Sequence, residues 1–360
     1  MHLTQLDIRQ VRNLHDVKIK PEKRCNYIYG DNASGKTSVL EAIYLLSIAR
    51  SFRTTHIKHV ISHNEAALQV FARIEKDEYS ESTAIGLERS AQKTRIRING
   101  ADVKQVSELS SILPVQIINP DVHKLLEQGP KYRRQFIDWG VFHVEHPFLL
   151  AWQQYYRVLK QRNAALRKKQ PKNVITLWDE QLIRFAKSIT LSRETYLLGF
   201  LPIFNQYVKK LMGLSVDIIY QRGWNSAFSF TETLENSYEK DFFKGFTSFG
   251  PHRADLQIVH NGTLVQNCFS RGQQKLLVCA MRLAQITHLK RETDQQSILL
   301  VDDLAAELDV KHRQNLIELL VDTEAQLFVT ATEENSFIFP SEIDFKMFHV
   351  EHGNVKEVVQ

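Results

Sequence analysis

The run Gly30-Asp31-Asn32-Ala33-Ser34-Gly35-Lys36-Thr37-Ser38 constrains this chain more than any other feature. It fits G-x-x-x-x-G-K-[ST], a loop that wraps phosphate groups. Its flanks fit as well. Asn26-Tyr27-Ile28-Tyr29 reads as a short buried strand. Val39, Leu40, Ile43 and Leu46 recur at helical spacing, so a helix is expected to open near Ser34 or Gly35. Gly30 and Gly35 let the backbone curl around phosphate oxygens with no Cβ in the way. The helix N-terminus adds unpaired N–H groups and the positive end of a dipole. In such a loop Lys36 reaches the β- and γ-phosphates and the Thr37 hydroxyl serves Mg²⁺, while Asn32, Ala33, Ser34 and Ser38 complete the cradle. The bland alternative is a Gly-rich turn before a helix.

A second feature, near the other end of the chain, works against that alternative. Ser297-Ile298-Leu299-Leu300-Val301-Asp302-Asp303 is an apolar run ending in two acids. A fully buried parallel strand has this composition. Acids at its C-terminal end fall where open α/β sheets bind ligands. Asp302 is the residue expected to hold Mg²⁺ through water, and Asp303 the one to orient an attacking water. Without the P-loop, a strand followed by a polar turn would be the simpler reading.

Phe269-Ser270-Arg271-Gly272-Gln273-Gln274-Lys275 precedes an apolar-periodic helix carrying Leu276, Leu277, Ala280, Leu283 and Ala284. It resembles the ABC ATPase signature, Ser-Gly-Gly-Gln, with Arg271 at the first glycine. Ser270, Gly272 and Gln273 are then nucleotide contacts. Ser270 also reads as an ordinary helix N-cap, and the two readings are compatible. Glu307-Leu308-Asp309 resembles the D-loop, and Phe328-Val329-Thr330-Ala331-Thr332 a strand end at the switch position. Gln116 lies near the place of the Q-loop glutamine.

With these pieces placed, the chain resembles the RecF family of ABC-type ATPases over nearly its whole length. The strings that carry the likeness are Arg12-Asn13-Leu14, Leu40-Glu41-Ala42-Ile43, Arg50-Ser51-Phe52-Arg53-Thr54, Asn119-Pro120-Asp121, Arg133-Arg134-Gln135-Phe136-Ile137-Asp138, Lys160-Gln161-Arg162-Asn163 and Gly250-Pro251-His252-Arg253-Ala254-Asp255. The resemblance implies an α/β fold, an ABC-type ATPase head with a mixed β-sheet lobe and an inserted mainly helical lobe. It implies ATP and Mg²⁺ as cofactors, with Lys36, Asp302 and Asp303 catalytic, and a two-fold homodimer closed by ATP. It further implies a weak, DNA-stimulated ATPase. Its partners would be single-stranded and gapped duplex DNA and RecR, and through RecR also RecO and RecA. A transporter ATPase subunit or a long-armed structural chromosome protein are the competing expectations. Arg271, Thr330 in place of a switch histidine, and the 250–255 string argue against the first. The lack of sustained heptads argues against the second.

Composition sets the frame for this reading. The chain has 360 residues, long enough for two lobes. Its 46 Lys and Arg against 41 Asp and Glu leave a charge of +5, which permits nucleic-acid contact without requiring it. Cys25, Cys268 and Cys279 form no C-x-x-C pair and are expected to be buried thiols in a reducing cytoplasm. No secretory signal and no apolar run near the ~20 residues of a membrane span are present, so no membrane partner is expected.

Residues 1–120 and 246–360 are expected to form the ATPase lobe, with Walker A at 30–37, the signature at 270–274 and Walker B at 298–303. Residues 121–245 are expected to form the helical insertion, with helices over 133–142, 147–169, 175–200 and 202–211. Asn99-Gly100 and Asn261-Gly262 read as hairpin turns. One stretch, 151–172, carries Arg157, Lys160, Arg162, Arg167, Lys168, Lys169 and Lys172 with no acid. Arg157, Lys160, Arg162, Arg167 and Lys168 are candidates for contacts to DNA phosphates; a solvated helix face is the plainer reading. Arg50, Arg53, Lys58 and His59 are further basic candidates.

Overall fold

A computed structural model describes residues 1–76, 81–303, 310–334, 336, 339–340 and 343–358. The expected D-loop, 307–309, lies outside them. The chain forms two compact units, Met1–Val122 with Leu289–Gln360, and His123–His288.

The first unit holds two six-stranded sheets. One runs in the order Leu14–Ile19, His2–Val11, Ala67–Glu75, Thr83–Ser90, Thr94–Ile98, Ala101–Val103 and is antiparallel throughout. Its turn at Asn99-Gly100 has both residues at positive φ, 49° and 83°, as a two-residue hairpin requires. The other runs Asn354–Val358, Phe345–Glu351, Cys25–Tyr29, Gln326–Ala331, Ile298–Val301, Val115–Ile118. All its pairs are parallel except the edge hairpin 345–358. Strands buried on both faces need continuous apolar runs, and Ile298–Val301 is buried at every position.

The helix Lys36–Ile48 shares one core with both sheets, through Val39, Leu40, Ile43 and Leu46 against Leu6, Ile8, Leu300 and Phe328. It is buried on nearly all sides, which explains its lack of a polar stripe. The sheet order puts Gln326–Ala331 between the strand that ends at the P-loop and the strand that ends at Asp302. Three strand ends therefore open on one place.

The second unit packs the helices Pro130–Val144, Phe148–Arg167 and Asp179–Met212 with the start of Arg271–Thr293 and a small sheet, Thr263–Leu264, Asp255–His260, Asp217–Gln221. Two helices expected over 175–200 and 202–211 are one helix of 34 residues with Pro202 inside it. Proline removes one helical N–H, yet Phe200, Ile203, Phe204, Tyr207 and Val208 are all buried on the same side. Burial of that apolar face outweighs the missing bond. Ile175 belongs to a separate short helix, Lys172–Thr176. The 34 residues span about 51 Å, and no longer helix occurs among the described residues.

Buried ion pairs tie this unit together. Arg133 donates to both carboxylate oxygens of Asp255, at 2.7 and 3.0 Å. Arg193 holds Asp138 the same way and donates to the Pro251 carbonyl at 2.9 Å. Tyr155 Oη lies 2.7 Å from His252 Nδ1, and burial lowers His252 to about 4. The strings 133–138 and 250–255, far apart in sequence, thus meet in one place.

Candidate nucleotide site

The loop 30–38 leaves its strand at Gly30, whose φ is 147°. A Cβ there would stand 2.2 Å from the Val350 carbonyl oxygen, so only glycine fits. The helix starts at Lys36, with Gly35 as its N-cap at φ 125°. Asp31, Asn32 and Ala33 are exposed, whereas Ser34, Lys36 and Ser38 are buried. Lys36 Nζ spans the loop, donating to the Gly30 carbonyl at 2.7 Å and the Asp31 carbonyl at 2.8 Å. Burial pushes its pKa down; Asp303, Asp302 and Asp31 pull it back.

Asp302 stands just past Ile298–Val301 and is 7% exposed. Its Oδ1 accepts from Thr37 Oγ1 at 2.8 Å and from Thr330 Oγ1 at 2.9 Å. Thr330 comes from the intervening strand, and its Oγ1 also accepts the Asp303 N–H at 3.0 Å. Burial raises the Asp302 pKa, and the two hydroxyl hydrogen bonds oppose that rise. Asp303 follows with φ 46°, a left-handed turn that ends the strand. A buried carboxylate beside a hydroxyl is a partial shell of hard oxygens. That fits Mg²⁺, which keeps waters and phosphate oxygens as its other ligands.

A brace around the loop was not legible in the motif. Arg12 and Asn13 form the turn between His2–Val11 and Leu14–Ile19, with Arg12 at φ 56°. Asn13 Nδ2 donates to the Ser34 carbonyl at 2.8 Å, and its Oδ1 accepts from Ser38 Oγ at 3.1 Å. Arg12 reaches the helix body instead, binding both oxygens of Glu41 at 2.9 Å. Glu41 is fully buried and also takes the Ser51 hydroxyl, with Arg53 at 4.0 Å. From the other side Gly353 N donates to the Ser34 carbonyl at 2.9 Å. A Cβ on Gly353 would lie 2.0 Å from the Asn13 carbonyl oxygen. The only sequence signals for this brace were the short strings 12–14, 40–43 and 50–54, and spacing could not join them.

Ser270 caps the helix Arg271–Thr293 in the second unit. Its hydroxyl accepts from Gln273 N at 3.3 Å, and the Gln273 side chain accepts from Ser270 N at 2.9 Å. This is a capping box. Ser270, Arg271, Gly272 and Gln273 are all exposed. In the basic stretch, Arg157, Lys160, Arg167 and Lys168 are exposed. Cys268, expected to be buried, is exposed, and Arg162, expected to contact DNA, is not a surface residue. It is fully buried, bound to Asp179 at 2.7 Å, Asp241 at 3.0 Å and Thr247 at 2.8 Å. Its acids arrive from elsewhere in the chain, so a local count of charge could not see them. Lys169 and Lys172 lie over the Phe242 and Tyr238 rings.

Comparison with known proteins agrees with this architecture. A family model described as RecF/RecN/SMC N terminal domain matches residues 2–356. A DNA replication and repair protein RecF of Shewanella piezotolerans is 44% identical over 362 residues, covering 99% of each chain. One of Cellvibrio japonicus is 43% identical over 363 residues, again covering 99% of each. A solved structure of the recombination mediator protein RecF-ATP in the RecFOR pathway superposes with a TM-score of 0.87 at 25% identity, covering 99% of this chain and 98% of that one. An Smc head bound to the C-winged helix domain of ScpA shares the fold, with a TM-score of 0.60 at 16% identity, over 99% of this chain and 97% of that one. The chain belongs to the RecF/RecN/SMC N-terminal domain family, within its RecF branch of DNA replication and repair proteins.

Proposed function

We propose that this chain binds ATP and Mg²⁺ at 30–38 and Asp302 and hydrolyses ATP slowly, as one half of an ATP-dependent homodimer that acts on DNA. The observation that carries this reading is the Thr37–Asp302–Thr330 cluster, joined from the helix after the P-loop and the ends of the next two strands, with the Lys36 ammonium held inside the loop. Gly30, Asn32, Ala33, Ser34, Gly35 and Ser38 supply the backbone cradle. The N–H groups at the start of Lys36–Ile48 face developing negative charge. Lys36 stabilises charge on the transferred phosphoryl group. Thr37 and Asp302 would hold Mg²⁺, which when bound neutralises phosphate charge. Asp303 orients the attacking water and takes its proton. Its side chain is one methylene shorter than glutamate, which suits slow turnover. Ser270, Gly272 and Gln273 complete the site of a second copy. The P-loop and Asp302 belong to the unit 1–122 with 289–360, and the signature 270–274 belongs to the unit 123–288 rather than to a head of 1–120 with 246–360.

The output lies in recombination, repair and replication restart. Membership of the RecF branch supports binding to gapped duplex and single-stranded DNA, and action with RecR, and through it RecO, in loading RecA. Arg157, Lys160, Arg167 and Lys168 remain the proposed phosphate contacts. ATP hydrolysis measured with and without gapped DNA tests the reading. Slow hydrolysis that rises with gapped DNA is expected. No ATP binding by calorimetry would refute it.

A further inference from the structure

A groove in the second unit encloses about 1200 Å³. Its walls are the strand Asp217–Gln221, the long helix at Leu197, Leu198 and Leu201, and the stretch 240–249. The four successive strand residues 218–221 all line it. Successive strand side chains point to opposite faces, so a cavity touched by all four runs along the strand's edge. That edge ends its sheet: among the described residues the strand pairs only with Asp255–His260. A free edge offers N–H and C=O groups to an added strand, and soluble proteins usually cover it or place charges on it. Here the flanking side chains are apolar and open. Leu198 is 76% exposed, Ile219 47% and Phe246 37%. Around them stand Arg222, Lys240, Lys244 and Arg253. The only carboxylate in the lining, Glu194, is paired to Arg222 at 2.7 Å.

We propose that this groove receives an extended segment of a partner protein that alternates acidic and apolar residues, added as a fourth strand beside Asp217–Gln221. Its apolar side chains lie on Leu198, Ile219 and Phe246, and its carboxylates face Lys240, Lys244 and Arg253. Backbone pairing supplies affinity, and the side-chain contacts supply selection. Single-stranded nucleic acid fits less well. Bases need open ring faces for stacking. Here Lys240 lies over Phe249 at 5.1 Å, Lys244 and Arg253 lie over Phe246 at 5.9 and 5.5 Å, and Trp224 packs on Phe230. Cations already stand over the Phe249 and Phe246 rings, whereas the outer edge of 217–221 pairs with no other strand among the described residues.

The test uses the full chain without nucleotide, so its outcome is independent of the ATP reading. The probe is a pool of fluorescent decapeptides alternating Asp or Glu with Val, Ile, Leu or Phe. Matched pools carry Gln or Lys at the acidic positions. The acidic pool is expected to bind best, and K240E/K244E to weaken it by about tenfold or more. N-methylation of alternate peptide amides is expected to abolish binding, and bound peptide to slow amide exchange across 217–221. Equal binding of the three pools, or binding indifferent to N-methylation, overturns the proposal. So does a ten-residue oligothymidine that binds K240E/K244E-dependently where the peptides do not.

Discussion

Lys36 and Asp302 are polar groups held where water is scarce, and each follows from its partners. Lys36 Nζ satisfies two loop carbonyls, so the loop is pinned by its own cation. Lys36→Ala removes both the pin and the charge. ATP binding by calorimetry is expected to vanish, and retention near the wild-type level would remove Lys36 from the site. Asp302 makes a subtler case. Burial raises its folded pKa, so the folded chain holds that proton more tightly than the unfolded one. The resulting stability is complete below the ordinary carboxylate range and is lost as pH rises through the raised value. At neutral pH the ionised group therefore costs the nucleotide-free protein stability. Asp302→Asn keeps an acceptor for the Thr37 and Thr330 hydroxyls and removes the charge. Its nucleotide-free melting temperature at pH 7 should rise by about 2–4 °C, the shift that ~1 kcal/mol gives in a unit of this size. Hydrolysis should fall to background in the same variant. A lower melting temperature at pH 7 with the fold intact would show that the carboxylate is not strained by burial.

Among elements, the loop depends on two turns distant in sequence. Asn13 and Gly353 both bond the Ser34 carbonyl, so the loop's shape is imposed by the turn 12–13 and the hairpin 345–358. Gly353→Ala would drive a methyl group into the Asn13 carbonyl and should cost about 1–3 kcal/mol. ATP affinity should drop with it, although residue 353 lies outside the loop. Wild-type affinity in a folded Gly353→Ala protein would mean that the loop shapes itself. What the sequence made legible was what local pattern can carry. The run at 298–301, the helix after Lys36 and the Asn-Gly turn at 99–100 each declare themselves within a few residues. What it hid was non-local. Pro202 reads as a helix end because its neighbours cannot report the apolar face that continues beneath it. Arg162 reads as part of a basic surface because Asp179 and Asp241 lie 17 and 79 residues away. Pro202→Ala should restore one helical hydrogen bond and raise stability by about 1–2 kcal/mol, after the loss of proline's stiffening of the unfolded chain. The urea midpoint at unchanged slope measures it; no rise would mean that the helix is locally adapted to proline.

For the whole molecule, the proposed dimer and the proposed DNA surface place different demands on one chain. Nucleotide phosphates in one copy would be capped by Ser270 of another, so Ser270→Arg should leave monomer affinity for ATP near normal and prevent ATP-dependent dimerisation in light scattering. The DNA surface is separable by charge. Lys160, Arg167 and Lys168 are exposed, whereas Arg162 on the same helix is an internal cation between two acids. Removing Arg162 would leave buried carboxylates unpaired, which costs about 3–5 kcal/mol, so any loss of DNA binding in that variant would report unfolding. Reversing Lys160, Arg167 and Lys168 to Glu avoids this confusion. The triple variant should melt near the wild-type temperature and bind ATP normally. Its DNA affinity should fall on every sequence, and the slope of log affinity against log salt should flatten by roughly 0.9 for each phosphate that is no longer neutralised. Dimerisation would join two such surfaces, and linked surfaces gain more than either alone. The fall in affinity should therefore be larger with ATP than without it. An unchanged salt slope with ATP present would show that phosphates are gripped elsewhere and that this helix face serves only solubility.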